Sequence, residues 1–179
     1  MSFSGNNLEN NHQEDIRSLM LFLRSLFFTI LFPGTVTLLV PYWIVSRERA
    51  GLSGAWTWHH FAGLPVIALG AGVLLRCIWD FYATGRGTLA PVDPPTKLVV
   101  HGLYRYVRNP MYVGVLLILL GETLFFWAAA VLAYAVIFFG IVHLFVVSYE
   151  EPALRSQFGE PYDVYRRAVP RWVPRKPKK

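Results

Sequence analysis

The 37 residues from Met111 to Val147 carry one formal charge, Glu122. A straight helix of that length reaches about 55 Å at ~1.5 Å per residue, well beyond a hydrocarbon core of roughly 30 Å. The run therefore reads as two apolar helices folded back on each other, with the turn inside residues 121–129. Two more stretches behave alike. No residue between Arg24 and Arg47 is charged, so 26–45 gives twenty consecutive uncharged, mostly apolar positions, and Phe61 to Ile78 is apolar except for Arg76. With hydrophobic residues at 54% of 179, the expectation is an all-α integral membrane protein of about four transmembrane helices. The first apolar run does not read as a secretory signal: it exceeds the usual apolar core, follows a polar start, and no small-residue cleavage site comes after it.

Four spans put both termini and the 80–110 segment on one side. That side holds Arg86, Lys97, Arg105, Arg108 and the tail cluster Arg171, Arg175, Lys176, Lys178 and Lys179, whereas the opposite loop has Arg47 and Arg49 against Glu48. The positive-inside rule places the richer side in the cytoplasm. The net charge of +6 reads as a topology signal and a contact with anionic lipid, not as a nucleic-acid surface. A lone cysteine, Cys77, excludes an internal disulfide and a zinc-type cluster, and no metal site is expected. The chain divides into an N-terminal region with two spans, 1–84, and a core, 85–179, made of a loop, a helical hairpin and an amphipathic C-terminal segment.

Local signals fit helices in lipid. Pro33-Gly34 and Pro41 should kink the first span. Gly63, Gly70 and Gly72, with Ala68 and Ala71, give the second span a small-residue surface for close packing. Residues 84–95 (TGRGTLAPVDPP) read as an ordered loop or re-entrant strap. Residues 149–168 return to helical spacing, with Leu154, Phe158, Tyr162 and Tyr165 on one side, as in a helix lying on the membrane surface.

Two polar clusters flank the hairpin. His101-Gly-Leu-Tyr-Arg-Tyr-Val-Arg-Asn-Pro-Met-Tyr-Val-Gly114 precedes the third span, and Glu150-Glu151 follows the fourth. An antiparallel hairpin makes these ends neighbours, so that Arg105, Arg108 and Tyr112 face Glu150 and Glu151 at the bilayer surface. Paired carboxylates, arginines, tyrosines and an asparagine suit a zwitterionic ligand, and the faces of Tyr104, Tyr106 and Tyr112 suit a sulfonium cation. Gly114 allows a ligand close to the helix, and Pro110 suits a first helical turn. The competing reading takes the same arginines and tyrosines as interfacial anchors, with Glu150 paired to Arg108.

The stretch Gly102 to Gly114 resembles the signature G-x-Y-x-x-x-R-H-P-x-Y-x-G of the isoprenylcysteine carboxyl methyltransferase family. Glu150-Glu151-x-x-Leu154-x-x-x-Phe158-Gly159-x-x-Tyr162-x-x-Tyr165-x-x-x-Val169-Pro170 is similar to that family's C-terminal block. Phospholipid N-methyltransferases look similar over the same region. The resemblance covers roughly residues 85–174 and implies a membrane-built, cytoplasmic pocket for S-adenosylmethionine. It implies cofactor contacts from His101, Tyr104, Arg108, Asn109, Pro110, Tyr112, Gly114, Glu150 and Glu151. It implies catalytic or substrate-steering roles for Arg108, Glu151, Arg167 and Arg171. The expected reaction is methyl transfer to a lipophilic acceptor in the bilayer, first a carboxylate of the prenylated-cysteine type. The alternatives are N-methylation of a phospholipid headgroup, with Glu151 as base, an NADPH-dependent sterol-type reductase, and an inactive scaffold. Two departures bear on the acceptor: Asn109 replaces the family's histidine and cannot titrate near neutral pH, and Ala168 stands where the family has arginine.

Other polar residues read as structural. His59-His60 lies on the far side as an interfacial pair, and His143 reads as a packed histidine. Arg76 and Asp80, one turn apart, form an ion pair or line the cavity. Glu122 lies near the far interface or contacts Arg47.

Overall fold

The computed structural model describes residues 31–48, 57–84, 98 and 100–176. Every regular element among them is helical. A π turn, Thr35–Leu39, leads into α1, Val40–Glu48. Then come α2, Trp58–Thr84, a 3-10 turn at Gly102–Arg105, α3, Pro110–Phe126, and α4, Ala129–Phe145. A second π turn, Val146–Glu150, joins α4 to α5, Glu151–Phe158, which α6, Glu160–Ala168, follows. The first π turn has a cause in sequence. Pro41 has no N–H and its ring crowds the carbonyl four residues back, so the helix widens ahead of it. The Thr37 hydroxyl donates to the Pro33 carbonyl at 2.7 Å within that turn.

The α2–α3 contact organises the rest. Gly63 and Gly70 are seven residues apart, as are Gly114 and Gly121. A seven-residue repeat keeps one stripe facing a partner in a left-handed crossing of roughly 20°. The two helices run antiparallel and place Gly63 against Gly121 and Gly70 against Gly114. A methyl on Gly63 would lie 2.7 Å from the Gly121 oxygen and the Phe125 nitrogen, one on Gly70 2.7 Å from the Gly114 oxygen and the Ile118 nitrogen, and one on Gly121 2.6 Å from the Ile67 nitrogen. Of the small-residue surface expected on α2, Gly63 and Gly70 are in use, met by glycines on α3, whereas Ala68 and Gly72 are exposed. Gly114 is the correction here: α2 fills the space above it, so it serves helix packing, and the open backbone expected for a ligand is absent.

The hairpin turns at Trp127-Ala128, inside the expected window. Trp127 adopts φ 51°, and the N–H groups of Trp127 and Ala128 donate back to Leu124 and Thr123. The hydrophobic core takes Val36 and Leu74 together with Val115, Ile118, Leu119, Ala135, Phe138, Val142 and Val146, so residues on both sides of position 85 share one interior. The helix expected over 149–168 is broken. Gly159 takes φ +60° and Pro161 starts a fresh helix, because the proline ring clashes with the carbonyl that a continuous helix would place there. The loop at 84–95, apart from the backbone of Thr84, and residues 26–30 of the first apolar run lie outside the described residues.

Two described helices are long and apolar enough to cross a membrane, Trp58–Asp80 and Ala129–Phe158, and Pro110–Phe126 is a shorter apolar helix. Their outer faces expose Leu64, Leu69, Leu75 and Trp79 on one, and Val136, Ile137, Ile141 and Leu144 on the other. Apolar side chains presented outward along whole helices suit hydrocarbon as solvent. Arg47 does not reach Glu122; its guanidinium sits 4.7 Å over the Trp43 ring, and Glu122 is buried on α3.

Gly70→Ala and Gly121→Ala should each destabilise the protein by about 1–3 kcal/mol through overpacking. Gly72 and Gly140 have nothing within 4 Å of an added methyl, so alanine there should be neutral or stabilising by up to ~1 kcal/mol from helix preference. Thermal unfolding in detergent checks the contrast.

Candidate active site

The hairpin and its neighbours gather the polar residues at one end of the bundle. At this end Asp80 packs over Gly102, whose φ of +58° lets the chain turn tightly into the 3-10 turn, and Arg76 pairs with Asp80 at 3.1 Å. At the other end His59 Nδ1 lies 3.2 Å from the Phe125 carbonyl, His60 accepts from the Thr57 N–H at 3.1 Å, and Trp58 and Trp127 stack edge-on at 5.4 Å. That far-side group has the composition of an interfacial aromatic belt.

The centre of the cluster is the Glu151 carboxylate. Arg108 Nη1 donates to Oε1 at 2.7 Å, Arg171 Nε to Oε1 at 2.6 Å, and Arg171 Nη2 to Oε2 at 2.9 Å. Glu151 and Asn109 are buried, and the Arg108 side chain is nearly so. Two-point binding by a planar guanidinium is the strong form of this contact, and here it holds a charge out of water. The hydrogen bond to Glu151 also holds the Arg171 guanidinium more firmly protonated than usual. The π turn puts both glutamates here: the Glu151 N–H reaches back to the Val146 carbonyl, and the wider turn lets two consecutive side chains serve one site.

Glu150 is held differently. The Tyr112 hydroxyl donates to its Oε2 at 3.4 Å, a long contact that leaves carboxylate capacity open. The Tyr104 phenol sits among Cys77, Glu150, Tyr165 and Tyr112, and burial pushes its pKa well above the ordinary value, with Cys77 and Glu150 adding to it. Tyr165 donates to the Tyr104 carbonyl at 2.8 Å, and burial raises its phenol as well. Tyr162 is buried against the Arg108 guanidinium and Glu151.

A strap over residues 169–175 closes the cluster. The Arg108 N–H donates to the Pro170 carbonyl at 2.9 Å, the Asn109 amide to the Arg171 carbonyl at 3.2 Å, and the Arg175 N–H to the Tyr106 carbonyl at 2.9 Å. Trp172 lies beside Tyr112, Phe139 and His143 and donates to His143 Nδ1 at 3.0 Å.

The structure therefore brings Arg108, Asn109, Tyr112, Glu150, Glu151 and Arg171 together, with Tyr104 behind them. Pro110 is the buried first residue of α3. Three expected participants stand apart from the cluster. His101 is exposed and begins the 3-10 turn, its carbonyl accepting from Tyr104 at 3.1 Å. Arg105 is exposed on that turn and Arg167 on the last turn of α6, and neither is a partner of Glu150 or Glu151. Asn109 in place of histidine supplies an amide N–H₂ that is one of the donors holding the strap. Trp172, by contrast, gave no signal in the sequence, where it sits inside a basic tail that reads as a topology and lipid signal.

The architecture is a bundle of apolar helices, two of them long enough to cross a membrane, with a charged, aromatic-lined cluster at one end. The chain belongs to the phospholipid methyltransferase family, whose model matches residues 58–161. It is 35% identical over 84 residues to a protein named methanethiol S-methyltransferase from Crocosphaera subtropica, covering 45% of this chain and 30% of that relative. It is 40% identical over 65 residues to an uncharacterized protein of Haemophilus influenzae, 35% of this chain and 100% of the relative. The chain thus spans under a third of the length of the first relative and all of the second. The family model covers the first motif and the second as far as residue 161, and extends the resemblance back through α2.

The Glu151 clamp predicts strong coupling. In a double-mutant cycle of Glu151→Gln and Arg171→Leu, the coupling energy in unfolding stability should fall at about 1–3 kcal/mol. Additive effects would show that the pair contributes little to holding the strap.

Proposed function

We propose that this chain is a membrane-embedded methyltransferase that uses S-adenosylmethionine and acts on a lipophilic acceptor. The carrying observation is the division of labour between adjacent glutamates: Glu151 is neutralised by two guanidinium groups, while among the described residues Glu150 is held by a long contact from Tyr112. The family membership and the name of the cyanobacterial relative support transfer of a methyl group.

The residues present suit that cofactor. Arg108 Nε is buried with no hydrogen-bond partner among the described residues, a donor aimed at a missing acceptor such as a carboxylate or ribose oxygen. Glu150 offers a carboxylate to an ammonium, and the faces of Tyr104 and Tyr112 suit a sulfonium. Arg108, Asn109, Tyr112, Glu150 and Glu151 would hold or frame the group, with Tyr104 at its back. When bound, S-adenosylmethionine supplies an electrophilic methyl on a positively charged sulfur. The chain's own task is then to orient the acceptor and exclude water, which is where catalysis of such a transfer resides.

The acceptor reading shifts on one observation. Arg108 and Arg171 are both engaged with Glu151 and Arg167 stands outside the cluster, so no guanidinium within the cluster has its whole fork open to an acceptor carboxylate. A nitrogen or sulfur nucleophile on a lipophilic carrier fits better than a prenylcysteine carboxylate. In this reading four helices cross the bilayer, residues 26–45 supplying the first, and the site faces the cytoplasm as the lysine and arginine distribution directs.

Purified protein incubated with methyl-labelled S-adenosylmethionine should label phosphatidylethanolamine or an alkanethiol at least tenfold faster than a prenylcysteine analogue. Labelling of the prenylcysteine analogue first would restore the carboxylate reading. Binding of NADPH without S-adenosylmethionine would overturn the methyltransferase itself.

A further inference from the structure

One side chain that belongs to neither helix packs between the start of α3 and α4. Trp172, on the strap, has its ring centroid 6.5 Å from Tyr112 on α3 and 5.3 Å from Phe139 on α4. Its indole N–H donates to His143 Nδ1 at 3.0 Å. Indole nitrogen is a donor only, so His143 presents a bare Nδ1 and carries its proton on Nε2. Tyr112, the next ring along, is the partner of Glu150. Trp172 therefore stands between the Phe139 and His143 side of α4 and Tyr112, the ring that holds Glu150.

We infer that Trp172, latched by His143, is the wall that sets how large an acceptor reaches the site beside Tyr112 from the side of α4. The inference rests on the methyltransferase reading for its substrate meaning, and on geometry alone for the latch. The other fastenings of the strap run to the loop before α3 and to Glu151. The His143 bond is its tie to α4, so its loss frees Trp172 to swing while Arg171 stays on Glu151. His143 is in this sense a positioning residue, acting through Trp172.

Four variants test it. His143→Gln keeps an acceptor, His143→Leu removes it, Trp172→Phe keeps an aromatic wall without the donor, and Trp172→Ala removes the wall. Acrylamide quenching of Trp172 emission, taken as the difference from Trp172→Phe, needs neither cofactor nor acceptor. It should rise in His143→Leu and match the original chain in His143→Gln. With labelled S-adenosylmethionine, His143→Leu should raise the KM for acceptor by up to about tenfold, the worth of one neutral hydrogen bond, with kcat little changed. Trp172→Ala should raise the kcat/KM ratio of phosphatidylethanolamine over an alkanethiol. Unchanged quenching in His143→Leu, or failure of His143→Gln to behave like the original chain, would overturn the latch. An unchanged acceptor ratio in Trp172→Ala would overturn the wall. Failure of the original chain to transfer methyl to any acceptor would count against the methyltransferase reading and leave the quenching result to decide the latch.

Discussion

The buried carboxylate of Glu151 ties together parts of the chain that are far apart in sequence. Left alone in a low-dielectric setting it would be costly, by several kcal/mol even after relaxation. Arg108 from the loop before α3 and Arg171 from the strap meet that cost together. The C-terminal segment thereby becomes part of the site. Once Arg171 is fixed, the backbone bonds from Arg108 and Asn109 follow, and Trp172 is delivered to α4. Removing either arginine leaves the other with a carboxylate only partly satisfied, so the loop before α3, the π turn and the strap stand or fall as one unit.

The second constraint lies in the apolar part of the bundle. Without water to drive helices together, close backbone approach does the work, and paired glycines on α2 and α3 provide it. That contact fixes the depth of α3 relative to α2. It sets Asp80 over Gly102 and so aims the chain that carries Tyr104 and Arg108 toward the glutamates. Packing at the middle of the bundle and chemistry at its end are linked through one rigid helix pair.

Much of this was legible in the sequence, and the reasons for success and failure differ. Run lengths revealed the hairpin because hydrocarbon thickness imposes a ruler on helices. The hairpin then placed Arg108 and Tyr112 beside Glu150 and Glu151, since two ends of an antiparallel pair must meet. Gly114 was misread because a glycine on an apolar helix signals close approach without saying of what. Only the matching spacing of Gly63 and Gly70 points to a helix as the answer. Arg167 and Arg171 look equivalent in a basic tail. Which of them turns inward depends on where α6 ends, and the helix break at Gly159 and Pro161 shifts that register. Trp172 was invisible for the same reason, since its partners lie on α3 and α4 and leave no local pattern.

The central claim is that this end of the bundle is a cofactor site in which Glu150, unlike Glu151, keeps its carboxylate for the ligand. Calorimetric titration of S-adenosylmethionine into purified protein and into Glu150→Gln tests it most directly. The account predicts saturable binding weakened by about 10–100-fold in the variant, as expected for loss of a charge-assisted contact, with thermal stability unchanged. Equal affinity in both proteins, or absence of binding to the unaltered chain, would contradict it.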